Sequence, residues 1–91
     1  MAIQNAILLR SDVRDQLMGL ISEIAGIERD SITDTATVDE DLQINSVAFV
    51  ELQVAIEDEY DIQIDPIRIV ELNELGAIID YIHECATAGA Q

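Results

Sequence analysis

The sequence predicts a small all-α fold, a four-helix bundle of three main helices and one short one with a long loop between the first and second. Three observations carry this reading. Apolar residues recur at spacings of three and four in separate segments. Only residues 61–65 (DIQID) alternate like a strand, and no partner strand accompanies them. The 91 residues are 49% hydrophobic but only 3% aromatic, without Trp, so the core must be aliphatic and packed between short helices. That size is near the lower limit for folding without disulfides or metals. All of residues 1–91 form one domain, with its core over about 7–84 and a small-residue tail over 85–91.

The first helix is expected from about Ile3 to Ala25, where Ile7, Val13, Leu17, Leu20, Ile21 and Ile24 form one apolar face, and Gly26 ends it. Ser11 or Asp12 would cap a helix that starts later. Residues 27–45 are rich in Asp, Thr and Ser. Ile27, Ile32, Ala36, Val38, Leu42 and Ile44 punctuate them without a period, which predicts a long loop pinned by single apolar residues. Long loops of this kind are functional candidates.

The second helix runs from Ser46 to about Tyr60, with Phe49, Leu52, Ile56 and Tyr60 facing the core. Val47, Val50 and Val54 form a second stripe beside Glu51, Ala55 and Asp58. Periodicity alone leaves two uses open for that stripe, packing under the long loop or meeting a partner. Residues 61–65 read as a loop. Asp65-Pro66 is a helix-start pair leading a short helix through Ile67, Ile69, Val70 and Leu72. Asn73 is expected to cap the last helix, Glu74 to about His83, whose core residues are Leu75, Ile78, Ile79 and Ile82.

Charge narrows the function. Nineteen acids against four arginines and no lysine give a net charge of −15, yet a mean hydropathy of +0.21 separates the chain from disordered acidic tails. Arg10, Arg14, Arg29 and Arg68 are scattered, so nucleic acid and anionic membrane surfaces are excluded as partners and a basic protein surface is favoured. Mutual repulsion favours a monomer. Lone Cys85 forms no internal disulfide, and with His83 it offers too few ligands for structural zinc, consistent with a cytoplasmic protein. Neither receives a functional role: Cys85 reads as incidental and His83 as a helix C-terminal residue. No apolar run reaches the length of a membrane span, and the N-terminus lacks the basic region of a signal peptide.

Parts for catalysis are few. The chain has no Gly-rich phosphate loop and no lysine, so it is expected not to be an enzyme. Neither TVDEDLQINSVA nor DEYDIQIDPIRI has the ligand order of a calcium-binding EF-hand loop. The passage Asp41-Leu42-Gln43-Ile44-Asn45-Ser46-Val47 remains. A serine where a long loop meets a helix places its hydroxyl at the positive end of the helix dipole, which favours phosphate. The competing reading is that Ser46 is the helix cap, one of the best residues for that position.

The stretch DLQINSVAFVELQVAIEDEYDIQI resembles the D-L-G-x-D-S-L…V-E-L…A-L-E-E-E-F-x-I-x-I signature of acyl carrier proteins, and the flanks extend the resemblance over about residues 13–82. It implies a four-helix carrier domain whose serine, here Ser46, receives 4′-phosphopantetheine from coenzyme A through a phosphopantetheinyl transferase. The arm's thiol then carries an acyl group as a thioester to acyl-activating, condensing or acyl-transferring enzymes with basic docking surfaces. The resemblance also implies that Glu51, Glu57 and Asp58 meet those basic surfaces, with Val47 and Val54 as apolar contacts and Val50 between them in the same stripe. Four departures stand out. Asn45 replaces the usual Asp before the serine, with Asp39 and Asp41 expected nearby, Gln43 or Ile44 stands at the usual Gly, Val47 replaces the usual Leu, and Ala48 takes a position that is often polar or acidic. Together they point to a specialised carrier, for instance in polyketide or related acyl assembly. Two other readings are an aminoacyl or peptidyl carrier of a nonribosomal pathway and an unmodified interaction module with the carrier fold.

Overall fold

A computed structural model of the protein describes residues 8–89. Four helices follow in order: α1 (Arg10–Ala25), α2 (Ser46–Tyr60), α3 (Pro66–Leu72) and α4 (Leu75–Gly89), with one 3₁₀ turn, Arg29–Ser31, in the long loop. Among the described residues there is no strand, only an isolated antiparallel bridge between Thr37 and Glu74. Helix α1 packs against both α2 and α4, and α3 packs against α4.

Helix α1 starts at Arg10, later than the apolar pattern suggests, and the expected contribution of Ile7 lies outside the described residues. Neither Ser11 nor Asp12 is its N-cap. Leu9 is, and Asp12 sits at the third helical position, where its carboxylate reaches back to accept the Leu9 N–H at 3.0 Å. A carboxylate there satisfies a backbone donor and complements the dipole. Val13, Leu17, Met18 and Ile21 bury its inner face. Gly26 ends it at φ 71°, donating its N–H to the Ser22 carbonyl at 3.0 Å.

The long loop is held by side chains and backbone together. Ile32, Ala36, Val38 and Leu42 are buried, while Ile27 and Ile44 are partly buried against the same core. The Leu75 N–H donates to the Ala36 carbonyl at 2.8 Å and the Gly76 N–H to the Asp34 carbonyl at 2.7 Å. Two donors in the first turn of α4, which have no acceptor within their own helix, are therefore satisfied by the loop. Val38 in turn donates to the Asn73 carbonyl at 2.9 Å. Asn73 does not cap α4 as expected. It closes α3 in the left-handed half of the map at φ 61°, and its Oδ1 accepts the Asp39 N–H at 3.3 Å, joining α3 to the loop.

The Asp65-Pro66 start of α3 is as predicted, with the Asp65 carboxylate accepting the Ile67 N–H at 3.0 Å. The preceding loop is secured at two points. Glu57 Oε2 accepts the Ile64 N–H at 3.0 Å, and the Tyr81 hydroxyl accepts the Asp65 N–H at 2.9 Å.

Helix α4 runs to Gly89, so Cys85–Gly89 is helix and not a tail. Ala86 and Ala88 are the best helix formers, and Thr87 Oγ1 donates back to the His83 carbonyl at 2.9 Å. His83 consequently lies in mid-helix, with Nε2 bonded to the Leu8 carbonyl at 2.8 Å, and ties α4 to the entry of α1. The nearly solvent-free centre of the core is aliphatic as expected: Val13, Leu17, Ile21, Ile56, Leu75, Ile79 and Ile82.

Candidate functional site

The start of α2 decides what Ser46 is free to do. Asn45, in extended geometry, is the N-cap, and its Oδ1 accepts the Ala48 N–H at 2.9 Å. Ser46 is the first residue within the helix, which overturns its reading as the cap. The exchange of Asp for Asn at the preceding position keeps a side-chain oxygen of the right reach, so the cap survives it. Ser46 is exposed, and among the described residues its hydroxyl has no hydrogen-bond partner. The Ser46 and Val47 N–H groups belong to the first turn, where no helical carbonyl can take them, and they face outward with the positive end of the dipole.

Beside Ser46 lies an open groove of about 310 Å³. Its α2 wall is Ser46, Phe49 and Val50; Val70 and Asn73 close it from the α3 side, and Val38, Asp39 and Ile44 from the loop. Asp39 therefore does stand near the serine. Asp41 does not line the groove: its carboxylate accepts from the Thr37 N–H and hydroxyl at 2.9 and 3.1 Å.

The valine stripe does not pack under the long loop. Val47, Val50 and Val54 are 71%, 56% and 50% exposed. Glu51 and Asp58 are exposed beside them, whereas Glu57 is half-buried and holds Ile64. Sequence reasoning missed a second apolar contribution. Ile67 and Val70 on α3 are 67% and 62% exposed, and Val70 shares the groove wall with Val50 of α2. Their spacing of three around the buried Ile69 was a signal for this face, weak because α3 spans only Pro66–Leu72.

These residues fit a phosphodiester arm on chemical grounds: an unpartnered hydroxyl, two free first-turn N–H donors and a groove leading away from it. The fit meets an independent finding. A family model described as a phosphopantetheine attachment site matches residues 15–82, which include α2 and α3 entirely. An acyl carrier protein of Rhodococcus erythropolis (strain PR4 / NBRC 100887) is 28% identical over 82 residues, covering 90% of this chain and 90% of that relative. Fold, helix start and sequence match agree, and the chain belongs to the acyl carrier protein family, whose prosthetic group is covalently attached 4′-phosphopantetheine.

Proposed function

We propose that Ser46 bears the phosphopantetheine and that the protein carries acyl intermediates to partner enzymes of fatty-acid-like or polyketide biosynthesis in the cytoplasm, as a monomer. The observation that carries this reading is the division of labour at the start of α2: Asn45 caps, leaving the Ser46 hydroxyl free and exposed. When bound, the group supplies a thiol on which an acyl chain is held as a thioester. The chain's own residues do the rest. Ser46 Oγ anchors the phosphate, the Ser46 and Val47 N–H groups and the α2 dipole stabilise its charge, and the groove wall of Val50 and Val70 receives the arm.

Docking falls to the outer face of α2. Val47, Val50 and Val54 supply apolar area and Glu51 and Asp58 flank it with charge that steers basic surfaces of the phosphopantetheinyl transferase and of acyl-activating, condensing or acyl-transferring enzymes. Glu57 adds to the field at longer range while its carboxylate holds the α2–α3 loop. Two measurements test this. Intact mass after incubation with coenzyme A, magnesium and a broad-specificity transferase is expected to rise by one phosphopantetheine, and not to rise in Ser46→Ala. Glu51→Lys with Asp58→Lys is expected to slow association by about tenfold or more at low salt and to flatten its salt dependence. Loading of Ser46→Ala equal to wild type would refute the assignment.

A further inference from the structure

Two spaces meet at Phe49. Outside is the groove of about 310 Å³ beside Ser46. Inside is an apolar space of about 10 Å³ between α1, α2, α3 and α4, bounded among others by Leu17, Leu52, Ile69 and Ile78. Phe49 and Val38 line both. Phe49 stands three positions after Ser46 on α2, on the line from the serine to the core, and is itself partly buried against that core. Val38 opposite it is fixed by backbone, donating to the Asn73 carbonyl at 2.9 Å and accepting the Ile44 N–H at 3.0 Å. Within α2, only Phe49 is left to move aside.

The inner space is no preformed chain site. Its volume is about what a single water needs. Admitting a chain there would turn an aromatic ring toward solvent, which is unfavourable.

We propose that Phe49 is a gate residue that bars the acyl chain from the core, so that this carrier holds its cargo outside, along the groove. The proposal rests on Ser46 bearing the arm, as argued above.

The test uses the whole protein, loaded from acetyl-, butanoyl-, hexanoyl-, octanoyl- and decanoyl-coenzyme A, with loading verified by intact mass and thermal unfolding followed for each form against its own unacylated holo form. In the wild type the midpoint is expected to stay within about 2 °C along the series, because no methylene enters the closed core. In Phe49→Ala it is expected to climb by about 3–6 °C for each methylene that enters the opened core. Phe49→Leu, which keeps an apolar side chain of smaller reach, serves the same comparison if the alanine variant does not fold. A wild-type midpoint that climbs with chain length would overturn the gate while leaving the carrier reading intact, as would variants whose series stays as flat as the wild type. Failure of the arm to load at Ser46 at all would overturn both.

Discussion

Asn45 and Ser46 are neighbours with opposite duties, and the difference is measurable. Removing the cap in Asn45→Ala is expected to lower stability by about 1 kcal/mol in urea unfolding. Ser46→Ala, which deletes a hydroxyl without a partner, is expected to change stability by less than about 0.5 kcal/mol while abolishing phosphopantetheine loading. If Ser46 were the cap, the order of the two stability losses would reverse. Tyr60, at the end of the same helix, offers a second residue-level test. Burial pushes its hydroxyl above the usual tyrosine range, with the Glu59 and Asp12 carboxylates adding to the shift. A group held protonated in the folded state contributes its stability fully below the unfolded value and loses it as pH rises through the folded one. Stability is therefore expected to fall above about pH 10, the unfolded-state value, and to fall less steeply in Tyr60→Phe, as followed by denaturant titration at alkaline pH.

At the scale of elements, the ends of α1, α2 and α3 are each closed by a residue at positive φ. Gly26 ends α1 at φ 71°, and a β-carbon there would meet no atom within 4 Å. Gly26→Ala is thus purely a backbone test, expected to destabilise by about 1 kcal/mol in equilibrium unfolding. Asp61 and Asn73 do the same work for α2 and α3 at φ 53° and 61° without being glycine. Asn and Asp tolerate this region better than other side chains do, which is why no glycine flags these two ends in the sequence. The helix starts at Ser46 and Pro66 were legible because cap residues precede apolar periods. The true start of α1 was not, because its reciprocal bond comes from Asp12 at the third position to an apolar cap residue, Leu9. The far end of α4 was missed for another reason: alanines mark a tail as readily as a helix until the chain's other elements are in place.

For the whole molecule, charge is the dominant fact. All four arginines pair with the chain's own acids: Arg10 with Asp34 and Asp80, Arg14 with Asp34, Arg29 with Asp15 and Arg68 with Glu71. These pairs are exposed, and each contributes little on its own. Arg10 and Arg14 do join α1 to the loop at Asp34, and Arg10 also bonds the Gly76 carbonyl at 3.1 Å, so one corner of the bundle is held by polar contacts. The remaining acids, within a net charge of −15, repel one another. Raising monovalent salt from about 10 mM to about 1 M, which shortens the screening length from about 30 Å to about 3 Å, is expected to raise the melting midpoint. The same titration is expected to weaken association with a basic partner. A midpoint that falls with salt would mean that the internal ion pairs outweigh the repulsion.

Composition and periodicity alone determined that this chain is helical, aliphatic-cored and acidic, and that Ser46 stands at the start of a helix, because those properties depend on local spacing and on side-chain type. Burial partners depend on segments far apart in sequence, and those only the tertiary structure decided. The valine stripe is bare because the long loop turns instead toward the α3–α4 junction, where the Leu75 and Gly76 N–H groups need its carbonyls. Val70 comes beside Val50 only once α3 lies against α4. Phe49, an ordinary core residue by its spacing, becomes the boundary between groove and core because Val38, eleven positions earlier in the chain, is brought opposite it.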